Sequence, residues 1–246
     1  MKYLAFDIET GPLPWEQVAS QYSPPAAMLP WDDSMVKYGN AKDPAKRKEK
    51  YDQVKAAYEA ELAKETQTLE AARLEWYGKA ALSPMTGRVL AIGIGNDDAA
   101  GIIGTDGETE EEILAAFWEI YKKFHVENTG RLVGFNIKHF DVPFMVRRSW
   151  FHGIPVPESL IEKGRYLSPT FIDLMIEWGV GGMEMVKLDT LAKFFGIGGK
   201  PEGVDGGMFS TLWESGNEES RKQAVDYLLN DIDMTWRLAE RMGVVA

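Results

Sequence analysis

Hydrophobic and polar residues alternate over several short stretches of the chain, and this alternation predicts β-strands. In Lys2 to Glu9 (KYLAFDIE), apolar residues at every second position share one face, and Asp7 and Glu9 share the other. Short apolar runs bounded by turn residues predict four further strands, at Arg88 to Gly95, Ala100 to Gly104, Arg131 to Asn136 and Thr170 to Met175.

Apolar residues at helical spacing predict the helices. These lie at Lys46 to Trp76, Thr109 to Phe124, Phe140 to Trp150, Leu188 to Phe195 and Glu218 to Met242. Thr109 is predicted as an N-cap because three glutamates follow it in the first turn. Five prolines between residues 11 and 31 favour an irregular segment, and the glycines between residues 196 and 207 favour a loop.

The order of these elements predicts an α/β fold. The first three strands have no crossover helix of the βαβ kind between them, so they should pair antiparallel, and the later strands should run parallel to the first. We therefore expect a mixed central sheet of about five strands flanked by helices. The length of 246 residues fits one domain, and residues from about 32 to 80, rich in charge and alanine, are predicted as a helical insertion within it.

Composition narrows the chemistry that such a domain can perform. There is no cysteine, and no two of the three histidines have the spacing of a helical zinc pair, so a bound metal must have mainly oxygen ligands. The net charge of −11 disfavours a protein that coats nucleic acid, although it leaves room for an enzyme that contacts only a strand end. The longest apolar runs are too short to cross a bilayer, and Asp7 interrupts any signal-peptide core, so we expect a cytoplasmic protein.

Asp7 and Glu9 are the first candidates for a functional site. Side chains two residues apart in a strand point to the same side, so the two carboxylates lie together. Anions this close repel one another unless a divalent cation or another positive charge neutralises them. On spacing alone, a metal site and a salt bridge at the end of the strand both fit the pair.

Two later segments also place carboxylates beside apolar elements. Asn136 ends a predicted strand and Asp141 begins the next helix, at the sheet edge where α/β proteins bind ligands, although the helix dipole alone also favours an acid there. Tyr227 and Asp231 are four residues apart on the last helix and share a face; an exposed charge beside a core tyrosine is the alternative. Asp173 is expected to support the metal ligands or the fold and not to bind a metal itself.

In chain order, these three segments resemble the motifs of the DEDD superfamily of 3′→5′ exonucleases, which have a ribonuclease H-like fold. The segments are FDIET, Asn-x-x-x-Phe-Asp and Tyr-x-x-x-Asp, and the tyrosine of the third is typical of the DEDDy branch. Further sequence segments such as LSPMTGRVLAIGIG and YLLNDIDMTWRL are similar to those of stand-alone exonucleases related to the proofreading domain of family-B DNA polymerases. The resemblance covers about residues 1 to 14 and 82 to 242, and it leaves out the predicted insertion.

The resemblance implies a nuclease with two divalent cations, Mg²⁺ or Mn²⁺, as cofactors. Asp7, Glu9 and Asp231 would bind the ion that activates water. Asp7 would bridge to a second ion, which Asp141 would hold mostly through its waters. Tyr227 would orient the attacking water together with Glu9. The implied partner is a nucleic acid 3′ end of single-stranded DNA, and a proofreading role would require a separate polymerase or another replication or repair protein.

Substrate contacts are also implied by the resemblance. Thr10 and Gly11 follow the first motif, where the backbone would approach the terminal nucleotide. Asn136 and Phe140 would contact the sugar or a base, although a core position explains Phe140 equally well. Lys200, in the glycine-rich loop, is expected to meet a phosphate.

The predicted insertion carries a local basic cluster in an acidic protein. Its early part contains Lys42, Lys46, Arg47, Lys48 and Lys50. One hypothesis is a helical arm that guides a single-stranded substrate, and the alternative is a solvated helical hairpin.

Two other functions fit the same motifs. The same chemistry could act on RNA or short oligonucleotides, because both sugars present the same phosphodiester. The chain could also be a catalytically silent nucleic-acid-binding relative, but the four acids and the tyrosine are all present, which argues against that alternative.

Overall fold

The protein divides into two compact units. A computed structural model describes residues 2–40, 42–105, 107–157, 170–182, 184–199 and 206–245. The larger unit comprises Met1–Leu13 and Ala80–Ala246, and the smaller unit comprises Pro14–Lys79. Across these described ranges, no helix combines the length and the apolar content needed to span a bilayer.

A five-stranded mixed sheet forms the centre of the larger unit. Its strands are β1 (Tyr3–Pro12), β2 (Gly87–Gly95), β3 (Ala100–Ile103), β4 (Arg131–Gly134) and β5 (Phe171–Asp173). Their order across the sheet is β3-β2-β1-β4-β5. The pairs β1–β2 and β2–β3 are antiparallel, and β1–β4 and β4–β5 are parallel. The predicted fold class is therefore confirmed.

Both units contain α-helices. In chain order they are α1 (Trp15–Val18), α2 (Pro44–Ala80), α3 (Glu110–Tyr121), α4 (Asp141–Phe151), α5 (Leu174–Trp178), α6 (Leu188–Phe194), α7 (Gly206–Glu214) and α8 (Glu218–Arg241); α1 and most of α2 belong to the smaller unit. The predicted cap of α3 is confirmed: the Thr109 side chain accepts a hydrogen bond from the Glu112 backbone N–H, and the Glu112 side chain accepts one from the Thr109 backbone.

The principal core lies between the sheet and α3 and α4. Phe6 of β1 is fully buried there, with its ring 5.3 Å from that of Phe117 and 5.9 Å from that of Phe171. Burying aromatic side chains of this size contributes about 2–3 kcal/mol each. These contacts and the pairing with β2 and β4 hold the central strand β1, and the residues along it, in place.

Four expectations about local structure are corrected. The strand predicted over Thr170 to Met175 ends at Asp173, because the Asp173 side chain accepts a hydrogen bond from the Met175 N–H and caps α5. The strand predicted to Asn136 ends at Gly134. The loop predicted to residue 207 gives way to α7 at Gly206; the first two residues of this helix are glycines, which are poor helix formers and are typical of loops. Residues 11 to 31 include the end of β1 and the short α1 as well as irregular backbone.

Candidate metal centre

Three of the predicted acidic residues come together in the larger unit. Asp7 and Glu9 lie two residues apart on β1, and Asp231 lies on α8; one carboxylate oxygen from each falls within 4.8 Å of those from the others. Glu9 and Asp231 are buried and Asp7 is half-buried. Residues that are more than 220 positions apart in sequence thus form a single acidic cluster, which we call the acidic cluster below.

A glycine opposite Asp7 allows α8 to come close to the sheet. Gly93 of β2 pairs directly with Asp7, so both point to the same face. A Cβ atom on Gly93 would lie 2.8 Å from Ile232 Cγ1, closer than real contacts allow. Ile232 follows Asp231 on α8, so the missing side chain at Gly93 lets this helix carry Asp231 to β1. The sequence signal was present as two glycines inside an apolar strand, a pattern that marks close approach of another element.

Asp141 sits beside the acidic cluster at the start of α4. It is 3% exposed, and its Oδ1 accepts a hydrogen bond from the backbone N–H of Ile8 at 3.0 Å. Burial raises the pKa of Asp141 to about 7, and the charge of Asp173 adds to the rise, while hydrogen bonds from the Ile8 N–H and with the Asp7 side chain oppose it. Asp141 is therefore in contact with β1 between the two acids of the first motif.

Asp173 fixes the turn that leads to Asp141. Its carboxylate is 1% exposed and accepts hydrogen bonds from three backbone N–H groups, those of Asn136 (2.9 Å), Lys138 (2.9 Å) and Met175 (3.1 Å). Asn136 has φ of 63°, a left-handed conformation that non-glycine residues seldom adopt. The carboxylate of Asp173 thus holds the unusual backbone between β4 and α4, which agrees with the structural role expected for it.

Asp173→Asn is expected to destabilise the protein by about 1–3 kcal/mol. The new amide NH2 group would face a backbone N–H, and two donors cannot form a hydrogen bond with each other. Oδ1 can still accept from Asn136 and Met175, so the loss should concentrate on the Lys138 bond. Urea denaturation measures this. Asp189→Asn, which alters an acid at 27% side-chain exposure on α6, is the matched control and should cost under about 0.5 kcal/mol. Equal stability of both variants would show that the hydrogen bonds to the Asp173 carboxylate do not stabilise the turn.

Tyr227 completes the arrangement from α8. Its side chain is 3% exposed and is hydrogen-bonded to Asp231, four residues later on the same helix face. Burial raises the pKa of the Tyr227 phenol well above its usual value, and the charges of Asp231, Glu9 and Asp7 raise it further. The phenol therefore keeps its proton and can act as a hydrogen-bond donor at the edge of the acidic cluster.

The chemistry of this donor set fits divalent cations. Three carboxylates within 4.8 Å of one another, two of them buried, repel strongly unless positive charge lies among them. All the donors are oxygen atoms, which suit Mg²⁺ and Mn²⁺ and not the softer metals that prefer sulfur. Asp7, Glu9 and Asp231 could hold one ion, and Asp141 stands close enough to Asp7 for the two to share a second.

The predicted substrate contacts lie in different surroundings. Thr10 is buried, and Gly11 packs so tightly that a Cβ atom there would lie 2.6 Å from Leu90 Cδ1, so its lack of a side chain has a packing cause. Phe140 is half-buried and packs against the principal core, with its ring 5.5 Å from that of Phe144. Asn136 is half-buried, and its Oδ1 makes no hydrogen bond within the described part of the chain. Lys200 lies outside the described residues.

Comparison with known proteins adds three similarities. A family model described as the RNase H superfamily matches residues 79–243, a range that contains Asp141, Tyr227 and Asp231. An uncharacterized protein of Methanocaldococcus jannaschii is 32% identical over 164 residues, which make up 64% of this chain and 86% of that protein. The family B DNA polymerase of the hyperthermophilic archaeon Pyrobaculum calidifontis has a similar fold at a TM-score of 0.54 and 17% identity, over 98% of this chain and 24% of the polymerase chain. The chain thus spans about a quarter of the polymerase's length.

Proposed function

Because the chain belongs to the RNase H superfamily, we propose that it is a metal-dependent 3′→5′ exonuclease acting on single-stranded DNA. Membership of this superfamily suggests nuclease activity, and a nuclease fold implies a nucleic acid substrate. The proposed reaction hydrolyses the terminal phosphodiester and releases nucleoside monophosphates. The observation that carries the proposal is the acidic cluster, with Asp7, Glu9 and Asp231 within 4.8 Å of one another and Asp141 beside them.

The acidic residues would bind the cofactor and so position the scissile phosphate. Two bound divalent cations would supply the positive charge that lowers the pKa of the attacking water and offsets the charge growing on the phosphate and the leaving oxygen. Asp7, Glu9 and Asp231 would hold one cation, and Asp7 with Asp141 the other. The water oxygen would form a bond to phosphorus and give up a proton to solvent, the bond between phosphorus and the 3′ oxygen would break, and the 3′ oxygen would take up a proton from solvent.

Tyr227 and Glu9 would orient the attacking water. The Tyr227 phenol keeps its proton at neutral pH, so it can donate a hydrogen bond while the Glu9 carboxylate accepts one. Two such contacts with opposite polarity fix both the position and the direction of a water lone pair. This role requires no histidine or cysteine nucleophile, which agrees with the composition.

Tyr227→Phe is expected to lower kcat by about 10²-fold, because the variant loses the donor that orients the water and keeps the ring that packs against the core. Its free energy of unfolding should change by only about 1 kcal/mol, the usual contribution of one hydrogen bond. Single-turnover hydrolysis of a labelled strand measures the loss of rate, and thermal unfolding measures the change in stability. An unchanged kcat in a folded variant would remove Tyr227 from the mechanism.

The test of the proposed function uses 5′-labelled single-stranded DNA and RNA of the same sequence. The proposal predicts a ladder of shortened products that keep the 5′ label, in Mg²⁺ or Mn²⁺, and no products after a chelator is added. A ladder with RNA but not DNA would replace the proposed substrate with RNA. Internal cuts without a ladder would contradict the exonuclease, and no products with either strand in either metal would favour the silent relative.

A further inference from the structure

The smaller unit (Pro14–Lys79) carries a strongly basic segment in an otherwise acidic chain. The basic segment comprises residues 37–50, which include the end of the loop before α2 and the first two turns of that helix. It has six basic residues against two acidic ones, a net charge of +4 in a chain of net charge −11. The six are Lys37, Lys42, Lys46, Arg47, Lys48 and Lys50.

These charges do not stabilise the helix on which they stand. The N-terminus of a helix carries the positive end of its dipole, so cations in the first turns are unfavourable there, and α2 has no acidic residue in its first turn. The preceding Asp43 is engaged at the cap, where its side chain accepts a hydrogen bond from the Ala45 N–H at 2.9 Å. Folding of α2 therefore gives no reason for this distribution of charge.

The basic side chains are also available to a partner. Every residue from 42 to 50 is exposed. Within the ranges that the structure describes, none of the six basic residues has a carboxylate at ion-pair distance. By contrast, the later basic residues of the same helix, Arg73 and Lys79, pair with Glu70 and Glu75. Among the residues that the structure describes, the positive charge of the segment is thus not paired with carboxylates.

Aromatic side chains accompany the basic segment. The Arg47 guanidinium lies 4.5 Å from the centre of the Tyr38 ring, a cation–π contact within the segment itself. Tyr51 directly follows the segment on α2, and Tyr58 lies about two turns beyond it. Their rings lie 5.8 and 5.2 Å from that of Trp31, and all four aromatic side chains are only half-buried. Cations beside accessible aromatic rings are the combination with which proteins bind single strands, through phosphates and bases respectively.

We propose that the basic segment binds single-stranded nucleic acid. Its cations would contact the phosphates, and neighbouring aromatic side chains would contact the bases. An anionic membrane is a poorer partner, because a helix that lies on a bilayer needs an apolar face, and residues 42–50 include no large apolar side chain. The proposal rests on the proposed function for the identity of the ligand, since the chemistry of phosphate contact is common to DNA and RNA.

The experiment compares two variants with the same change in charge. The first is K46E/K48E/K50E, in the basic segment, and the control is K122E/K123E/K222E, at exposed lysines of the larger unit. The affinity of the full-length protein for labelled oligo(dT) and oligo(rU) of about 20 nucleotides is measured by anisotropy in chelator, so that no hydrolysis occurs; this length exceeds the roughly 4–16 nucleotides of a single-strand site.

We expect the first variant to bind at least about tenfold more weakly than the control at low salt. Three lost phosphate contacts should also make the plot of log affinity against log salt concentration shallower by about 2, since each contact contributes about 0.7 on a single strand. Equal affinity of the two variants would overturn the proposal. So would a loss of binding to phosphatidylserine vesicles in the first variant with strand binding unchanged.

Hydrolysis of the p-nitrophenyl ester of thymidine monophosphate separates this inference from the proposed function. The ester has no strand to hold, so both variants should cleave it as wild type does. If wild type cleaves neither the ester nor a strand, the proposed function fails, while a difference in strand binding between the variants still supports the inference. If hydrolysis is intact and the variants bind strands equally, the inference alone fails.

Discussion

Asp7→Asn is expected to lower hydrolysis of a labelled single strand by about three orders of magnitude. Asp7 belongs to the acidic cluster and contacts Asp141, so in the proposed mechanism it would serve both cations. Asparagine keeps the size of the side chain and removes the negative charge that would offset theirs. Single-turnover rates in Mg²⁺ and Mn²⁺ measure the loss.

The same variant should be no less stable than wild type when a chelator is present. Removing one of several close negative charges relieves repulsion, so its melting temperature in chelator should equal or exceed that of wild type. Added Mn²⁺ should then stabilise wild type more than the variant. The control is Asp226→Asn, which changes an exposed acid on α8, the helix that carries Asp231. It should match wild type in its rate of hydrolysis and in its stabilisation by Mn²⁺. Full activity of Asp7→Asn would refute the site assignment.

Arg148→Leu is expected to destabilise the fold by about 3–5 kcal/mol, the largest stability effect foreseen. Arg148 is 2% exposed, and its Nε and Nη2 donate hydrogen bonds to the Glu110 carboxylate at 2.9 and 2.6 Å. Its Nη1 also donates to the Pro84 carbonyl at 3.1 Å. Leucine would leave the buried Glu110 without its main counter-charge, and urea denaturation at neutral pH would measure the cost.

A double variant tests whether the lost stability comes from the Glu110 carboxylate that is left without a counter-charge. Glu110→Leu with Arg148→Leu removes both charges, so it should recover a substantial part of the loss. If the double variant is as unstable as the sum of the two single variants, the pair is not coupled and the explanation fails.

The Glu110–Arg148 pair also predicts how the stability of the wild-type protein depends on pH. Burial alone would raise the pKa of Glu110, but hydrogen bonds from Arg148, His152 and the Val89 N–H outweigh it, and the pKa lies below its ordinary value of 4.5. A carboxyl whose pKa is lower in the folded state contributes stability that is fully present above the unfolded pKa and is lost as the pH falls through the folded pKa. Wild type should therefore lose stability below about pH 4.5 more steeply than the double variant does.

Much of the larger unit could be predicted from the sequence because its signals are local. Alternating apolar residues mark β1, and the capping box of α3 is present in Thr109 and Glu112, so element type follows from neighbours in the chain. The antiparallel and parallel pairings follow from what lies between the strands, and they are confirmed. The motifs also indicated which acids to compare, and the structure brings Asp7, Glu9 and Asp231 together.

What could not be predicted depends on contacts between distant residues. The two glycines inside the apolar β2 indicate the close approach of some other element, but only the structure shows that Ile232 of α8 packs on Gly93 at a distance that excludes a side chain. The hydrogen bonds from Asn136 and Lys138 to Asp173 join residues more than 30 positions apart, and they hold the backbone between β4 and α4. Helix α7 begins with two glycines, which are poor helix formers, and its burial of Phe209 beside Tyr227 is a tertiary effect.

The most direct test of the metal centre is anomalous scattering from crystals of the protein grown with Mn²⁺. We expect anomalous density bounded by the carboxylates of Asp7, Glu9 and Asp231, with Asp141 adjoining it, and no such density in crystals of Asp7→Asn. Well-ordered crystals at millimolar Mn²⁺ with no peak at the acidic cluster, or with the same peak in both proteins, would contradict it.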